Sequence, residues 1–350
     1  MQKAHLALFL ALIVSFLSAG CSPQESIHEL RGEAWGTSYQ IKIVATDDDF
    51  DEAEIRAVVA RTLVDVDDQL SNWNSVSEVS RFNAEMSGDP VNLSSEFNDL
   101  MQVAGRVHAA SEGYFDLTLA PVIELWGFGS TSGEELQDRT APADAAIAAA
   151  MATIGQDTVL AHDFENAQLR KLNPAASVFL SALAKGAGID ALDEALAGLG
   201  LANYLVEVGG DLIAIGPGPR GKGWQIGIEQ PTIGTRQASE ILGLTDIAMA
   251  TSGDYRNYFE ANGVRFSHII DPRTGRPITH KAASVTVLSD KAVLADAWAT
   301  ALLAAGEQRG LEIAERENIA ALFISRSDTN GSPEFESVSS SEFERVRGKP

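Results

Sequence analysis

Apolar positions recur along this chain in two rhythms. Glu52 to Leu70 carries Ile55, Val58, Val59, Leu63, Val66 and Leu70 three and four residues apart, a spacing that lines one face of a helix. Ser94 to Ser111 repeats it, with Ser94 or Ser95 placed to accept the open amides of a first turn. Helices are also predicted over Ala143 to Ile154, Ser181 to Leu199 (ended by Gly200), Lys291 to Ala305 and Glu307 to Asn318. The second rhythm is alternation or a short apolar run, and it predicts strands. These fall at Tyr39 to Val44, Tyr204 to Val208, Leu212 to Ile215, Trp224 to Ile228, Ile247 to Thr251, Arg265 to Ile270, Ser284 to Leu288 and Ala320 to Ser325. Shorter β-like pieces occupy Thr158 to Phe179. Asp47 to Asp51 reads as an acidic turn, Ser130 to Asp144 as a polar loop, and the C-terminal tail as polar. Helices and strands mix without a regular βαβ alternation, so the predicted class is α+β, with mixed sheets and packed helices.

Composition narrows the picture. The chain has 350 residues, 45% hydrophobic and 21% charged, enough for a sizeable core. Its formal net charge is −23, from 49 acidic against 26 basic residues, which excludes a broad nucleic-acid face. An anionic ligand has to be met by local arginines, backbone amides or a metal. At the N-terminus Lys3 precedes an apolar run from Leu6 to Leu17, then Ser18-Ala19-Gly20-Cys21. That is a secretory signal, too short for a comfortable membrane span. Cys21, the sole cysteine, closes a stretch that resembles a bacterial lipobox. The expectation is a signal peptide over 1–20, lipidation at Cys21, a tether over 21–31 and a single domain over 32–345. The protein would then be a membrane-anchored lipoprotein facing the periplasm, and a single cysteine allows no intramolecular disulfide.

Four segments concentrate candidate chemistry. In "VEVGGDLIAIG" (Val206 to Gly216), Gly209 and Gly210 follow a strand and let backbone approach a ligand, with Asp211 beside them; a tight hairpin would look the same. In "ATSGDYRNYF" (Ala250 to Phe259), Thr251, Ser252 and Gly253 present hydroxyls and an amide near Asp254 and Arg256, without the spacing of a nucleotide-triphosphate loop or an acyl-transfer nucleophile. In "SHIIDPRTGRPI" (Ser267 to Ile278), His268 and Asp271 stand at a strand end, as acid–base or metal-ordering groups or as a structural histidine beside a turn. In "LADAWATALLAAG" (Leu294 to Gly306), Asp296 and Thr300 share a helix face. They read either as hard oxygen donors for Mg²⁺ or as a first-turn aspartate with a back-bonded threonine.

Taken in order, the motifs "WGTSY", "LSNWNSVSEVSRFN", "SEGYFDLTLAPVIELWGFG", "LSALAKGAGID", "VEVGGD", "TSGDYRNYF", "SHIIDPRTGRP" and "ADAWATAL" resemble the ApbE family, the FAD:protein FMN transferases, across essentially the whole mature chain. The resemblance implies an α+β fold with an FAD cleft between two subdomains and Mg²⁺ at the pyrophosphate. The implied reaction moves the FMN part of FAD to a threonine or serine hydroxyl of an acceptor protein and releases AMP. Acceptors implied are subunits of membrane redox complexes of the sodium-pumping NADH dehydrogenase and Rnf type. Carried over residue by residue, the metal positions are the Ala182 oxygen, Asp296 and Thr300. The flavin-contact positions are Trp35, Trp73, Tyr114, Phe115, Asp116, Lys185 and Ile270. The Gly209-Gly210-Asp211 and Thr251-Ser252-Gly253 stretches would line the nucleotide, and His268, with Asp271 near it, would serve the acceptor hydroxyl. Two positions depart from the family pattern: Phe179 stands where an aspartate is usual, and Trp35 where a methionine is usual. The metal constellation also admits an FAD pyrophosphatase, and the Phe179 departure admits a non-catalytic FAD-binding lipoprotein.

Overall fold

Residues 25–46, 50–129, 139–232, 237–255, 257–327 and 334–347 are described by the computed structural model. Cys21 and the apolar run before it lie outside them, as do Arg256, most of the Asp47 to Asp51 turn and residues 130–138 of the expected loop. Among the described residues no helix is long and apolar enough to cross a membrane.

Eight strands form one antiparallel sheet whose spatial order is their order along the chain: β1 (Ser26–Ala34), β2 (Thr37–Ala45), β3 (Tyr204–Val208), β4 (Asp211–Ile215), β5 (Ile247–Gly253), β6 (Ala282–Ser289), β7 (Ala320–Ser327) and β8 (Glu334–Ser339). Between β2 and β3 the chain inserts α1 (Glu52–Leu70), α2 (Glu78–Ala84), α3 (Ser95–Ala110), α4 (Ala120–Trp126), α5 (Asp144–Met151), a small three-stranded sheet and α6 (Ala184–Gly198). The helix α7 (Ala292–Glu317) joins β6 to β7, and α8 (Ser341–Arg347) follows β8. The central strands read as unbroken apolar runs because the sheet is buried on both faces. Ile213, Val285, Val287 and Phe323 pack among the helices. Their neighbours Leu212, Leu288 and Leu322 pack with Trp224, Leu242 and Phe343, from the hairpin Trp224–Glu229/Ala238–Leu244 and from α8.

Several expectations are corrected. Ser26 to Arg31, read as tether, belongs to β1, an edge strand that buries Leu30 and pairs along its full length with β2. Its other positions are mostly exposed and polar, so it lacks the apolar density that marks a central strand. The polar tail folds as β8 and α8 for the same reason. The strand expected over Arg265 to Ile270 is two hairpins, Tyr258–Ala261 with Val264–Ser267 and Ile270–Asp271 with Arg276–Pro277, which part at His268. The two helices expected after Lys291 meet at Gly306, whose φ of 77° and ψ of 170° break the helical path. The helix expected from Ser181 opens as a 3₁₀ turn, Leu180–Ala182, and restarts at Ala184.

The packing of α6 on α7 sets the position of Asp296. A Cβ on Gly186 would lie 2.4 Å from the Ala292 carbonyl oxygen and 2.7 Å from the Val293 Cα, so backbone itself would have to move. Gly186→Ala is therefore expected to destabilise the protein by about 1–3 kcal/mol, read as a lower urea midpoint. Asp190 of α6 caps α7 from outside: its carboxylate accepts the Ala292 and Val293 amides at 2.9 and 3.0 Å. Lys291, at the cap position, supplies no side-chain bond.

Burial pushes the Asp190 carboxyl up to about 6, against amide bonds that pull it down. The folded state thus keeps this proton to higher pH than the unfolded chain, whose value is the ordinary 3.8. Stability from this group is complete below 3.8 and is lost as pH rises through about 6, about 3 kcal/mol in all. Asp190→Asn is expected to remove that slope, measured as the difference between wild-type and variant urea midpoints from pH 4 to 7.

Candidate active site

The loops after β3, β5 and the Ser267 strand face α7, the 3₁₀ turn and the loop before α4, and between them lies a cavity of about 670 Å³. That volume is within the range of small-molecule sites. Trp73 and Phe179 form an aromatic pair on its wall, with ring centroids 5.6 Å apart at 54°. Trp73 is 60% exposed, so this end opens to solvent. Tyr114 and Phe115 also line the cavity, and the Arg273 guanidinium lies 3.7 Å from the Tyr114 ring centroid on the side of the turn.

The polar end is built around Asp296. It is buried between the fully enclosed Ala295 and Ala297 of α7, a costly place for a carboxylate without partners. Its Oδ2 accepts the Gly186 amide at 3.0 Å, and its Oδ1 lies 3.5 Å from the Lys185 ammonium. The same ammonium is paired with Asp211 Oδ2, while Asp211 Oδ1 accepts the Thr251 amide at 3.0 Å. One turn along α7, the Thr300 hydroxyl meets the Ser252 hydroxyl at 3.0 Å. Ala182, the last residue of the 3₁₀ turn, also lines the cavity.

The described residues hold no cluster of three or more His, Cys, Asp or Glu side chains able to bind a metal. The set on hand is a buried carboxylate, two hydroxyls and a peptide carbonyl, all hard oxygens. It fits Mg²⁺, which takes few protein ligands and completes its shell with water and substrate phosphate.

His268 lines the cavity at the gap between the two hairpins. Its Nδ1 lies 3.0 Å from the Asn257 carbonyl oxygen. A carbonyl only accepts, so Nδ1 carries the hydrogen and Nε2 keeps its lone pair. Burial lowers the histidine's pKa from its ordinary 6.5, more than the Asn257 carbonyl and Asp254 raise it, so the ring is neutral at neutral pH.

Of the residues singled out from sequence, Trp73, Tyr114, Phe115, Asp116, Ala182, Lys185, Gly209, Gly210, Thr251, Ser252, Gly253, His268, Ile270, Asp296 and Thr300 all line this one cavity. Three others sit elsewhere. Trp35 occupies a two-residue turn with Gly36, both at positive φ (51° and 77°). This turns its indole away to pack over Gly188 and donate to the Leu63 carbonyl at 3.3 Å. Asp211 is buried behind Lys185. Asp271, expected to assist catalysis, opens a turn instead: its carboxylate accepts the Arg273 amide at 2.9 Å and the Arg273 guanidinium, and its carbonyl accepts the Gly275 amide.

Asp116 is at the cavity, but one oxygen accepts the Thr118 amide and the other the Gln156 amide, so it braces the loop before α4. Sequence reasoning did not select Phe179 or Asn257 as site residues, nor Glu207 and Glu229, which add carboxylates to the lining. Glu207 lay inside the quoted "VEVGGD", where strand alternation gives it the opposite face from Val206 and Val208.

Known proteins resemble this chain closely. The model of the ApbE family matches residues 35–323. Curated FAD:protein FMN transferases of Vibrio cholerae and Haemophilus influenzae are each 40% identical, over 94% and 99% of this chain and 96% and 99% of theirs. The solved flavin transferase ApbE from Vibrio cholerae superposes with a TM-score of 0.82 at 37% identity, covering 92% of this chain and 99% of that one. The apo flavinyl transferase ApbE from Pseudomonas stutzeri does so with the same score at 35% identity, over 93% and 98%.

Proposed function

We infer the chemistry from the premise that this chain belongs to the ApbE family: it acts as an FAD:protein FMN transferase. The observation that carries this is the likeness over nearly the full length of both chains to curated enzymes of that activity. In the reaction we propose, a threonine or serine oxygen of the acceptor bonds to the FMN phosphorus. The bond from that phosphorus to the bridging oxygen breaks, and AMP leaves. Nε2 of neutral His268 receives the hydroxyl proton, because Nδ1–H is held by the Asn257 carbonyl. The Trp73–Phe179 pair supplies an aromatic wall for a planar ring system.

The charge problem is explicit. Lys185 is the one lysine or arginine among the described lining residues, beside the carboxylates Asp116, Glu207, Glu229 and Asp296. Bound Mg²⁺ supplies the missing neutralisation of the pyrophosphate. Asp296, Thr300 and the Ala182 carbonyl are the groups we assign to hold it. We further propose that the acceptors are flavoprotein subunits of membrane redox complexes of the sodium-pumping NADH dehydrogenase and Rnf type. The protein would reach them from a lipid anchor at Cys21 on the periplasmic side.

The test incubates the protein with FAD, Mg²⁺ and a threonine-bearing acceptor domain. In-gel fluorescence of covalently labelled acceptor, with one AMP per flavin transferred, is the expected result. Free FMN and AMP without labelled acceptor would instead identify a pyrophosphatase, and unchanged FAD at full occupancy a binding protein.

A further inference from the structure

Lys185 has a second relation to the cation pocket. Asp296 offers two oxygens, and Oδ2 is committed to the Gly186 amide at 3.0 Å. The oxygen left for a divalent cation is Oδ1, and that is the one the Lys185 ammonium approaches, at 3.5 Å. The ammonium is shared with Asp211, so one positive charge bridges two carboxylates whose side chains are 3% and 6% exposed. The cluster keeps a net negative charge that draws a further cation. Mg²⁺ requires its oxygens at about 2.0–2.1 Å, and an ammonium on the same oxygen repels it and competes for the same lone pairs.

We propose that Lys185 is the resident counter-ion of this pocket. It withdraws from Asp296 when a divalent cation binds and turns its charge to the anionic substrate. The Lys185 stem runs beside Gly209, with Cδ 3.5 Å from where a Cβ on that glycine would stand. Asp211 retains the ammonium as it swings. One of the two carboxylate charges is thereby compensated before the cation binds, and cation entry becomes coupled to phosphate entry, because the ammonium that gives up Asp296 finds a replacement second partner only in the substrate. This inference rests on the Mg²⁺ assignment above.

The experiment measures binding of Mg²⁺ alone by calorimetry, without FAD, to wild type, Lys185→Met and Lys185→Arg. Lys185→Met is expected to bind Mg²⁺ at least tenfold more tightly than wild type, and Lys185→Arg no more tightly than wild type. Equal or weaker binding by a folded Lys185→Met overturns the proposal while leaving the cation assignment intact. No Mg²⁺ binding by any of the three, with FAD present or absent, overturns both. Should Lys185→Met fail to fold, wild type decides the matter. Saturating Mg²⁺ is expected to speed acylation of the Lys185 amine severalfold, followed by peptide mass spectrometry, and an unchanged rate overturns the proposal.

Discussion

Asp296→Ala is expected to lower kcat/KM for FMN transfer by about a thousandfold or more. The carboxylate is the only acidic group in the Ala182, Asp296 and Thr300 donor set, so its removal leaves a hydroxyl and a carbonyl facing a pyrophosphate. It also strips an acceptor from the Gly186 amide and one of the two partners of Lys185, so part of any loss could come from a disturbed α6–α7 contact. Asp296→Asn separates the two effects. An amide oxygen still accepts the Gly186 N–H but is a far poorer cation ligand, so this variant should melt close to wild type while losing activity like the alanine variant. Initial rates of acceptor labelling across a Mg²⁺ series, paired with thermal melts, make the measurement. An alanine variant that keeps Mg²⁺-dependent transfer within tenfold of wild type would sink the metal assignment.

The second large effect is at His268. Removing a positioned general base costs about 10²–10⁴-fold, and His268→Ala is expected to fall in that range with FAD affinity little changed. The pH profile distinguishes a proton acceptor from a packing residue. Burial holds the His268 pKa below its ordinary 6.5, and only the neutral ring can take a proton. Wild-type activity should therefore be full at neutral pH and decline on acidification through a value below 6.5. In His268→Ala that acid limb should be missing. Asn257→Ala should leave the profile in place, because the group that orients the imidazole is the Asn257 backbone carbonyl. An unaltered acid limb in His268→Ala would assign it to another group.

Much of the site was legible because its motifs are local. The glycines of "VEVGGD", the hydroxyls of "TSGDYR" and the Asp296–Thr300 pair each occupy a few consecutive residues at a strand end or on one helical face. The geometry that brings them to a common cavity is carried by strands whose apolar runs were unmistakable. Trp35 and Asp271 went differently. Both sit in motifs that resemble the family's, yet their side-chain directions depend on local turns. Positive φ at Trp35 sends the indole between helices, and the Asp271 carboxylate is consumed by the Arg273 amide and guanidinium. The chain pattern at either position is compatible with an orientation into the cleft or away from it.

The division follows the range of the forces involved. Periodicity and turn chemistry are read over a few residues, so helices such as α1 and α3, the buried strands and the α+β class were determined by the sequence alone. So was the charge imbalance that obliges an anionic ligand to meet a cation. Edge strands β1 and β8 were decided by pairing with their sheet neighbours β2 and β7, since half-exposed polar residues carry no apolar signal of their own. The same holds for the Asp190 cap on α7, made across about a hundred residues. It holds too for Lys185 between Asp211 and Asp296, an arrangement that exists only where three separate segments converge and water is excluded. Low dielectric turns that convergence into chemistry, and no stretch of sequence contains it.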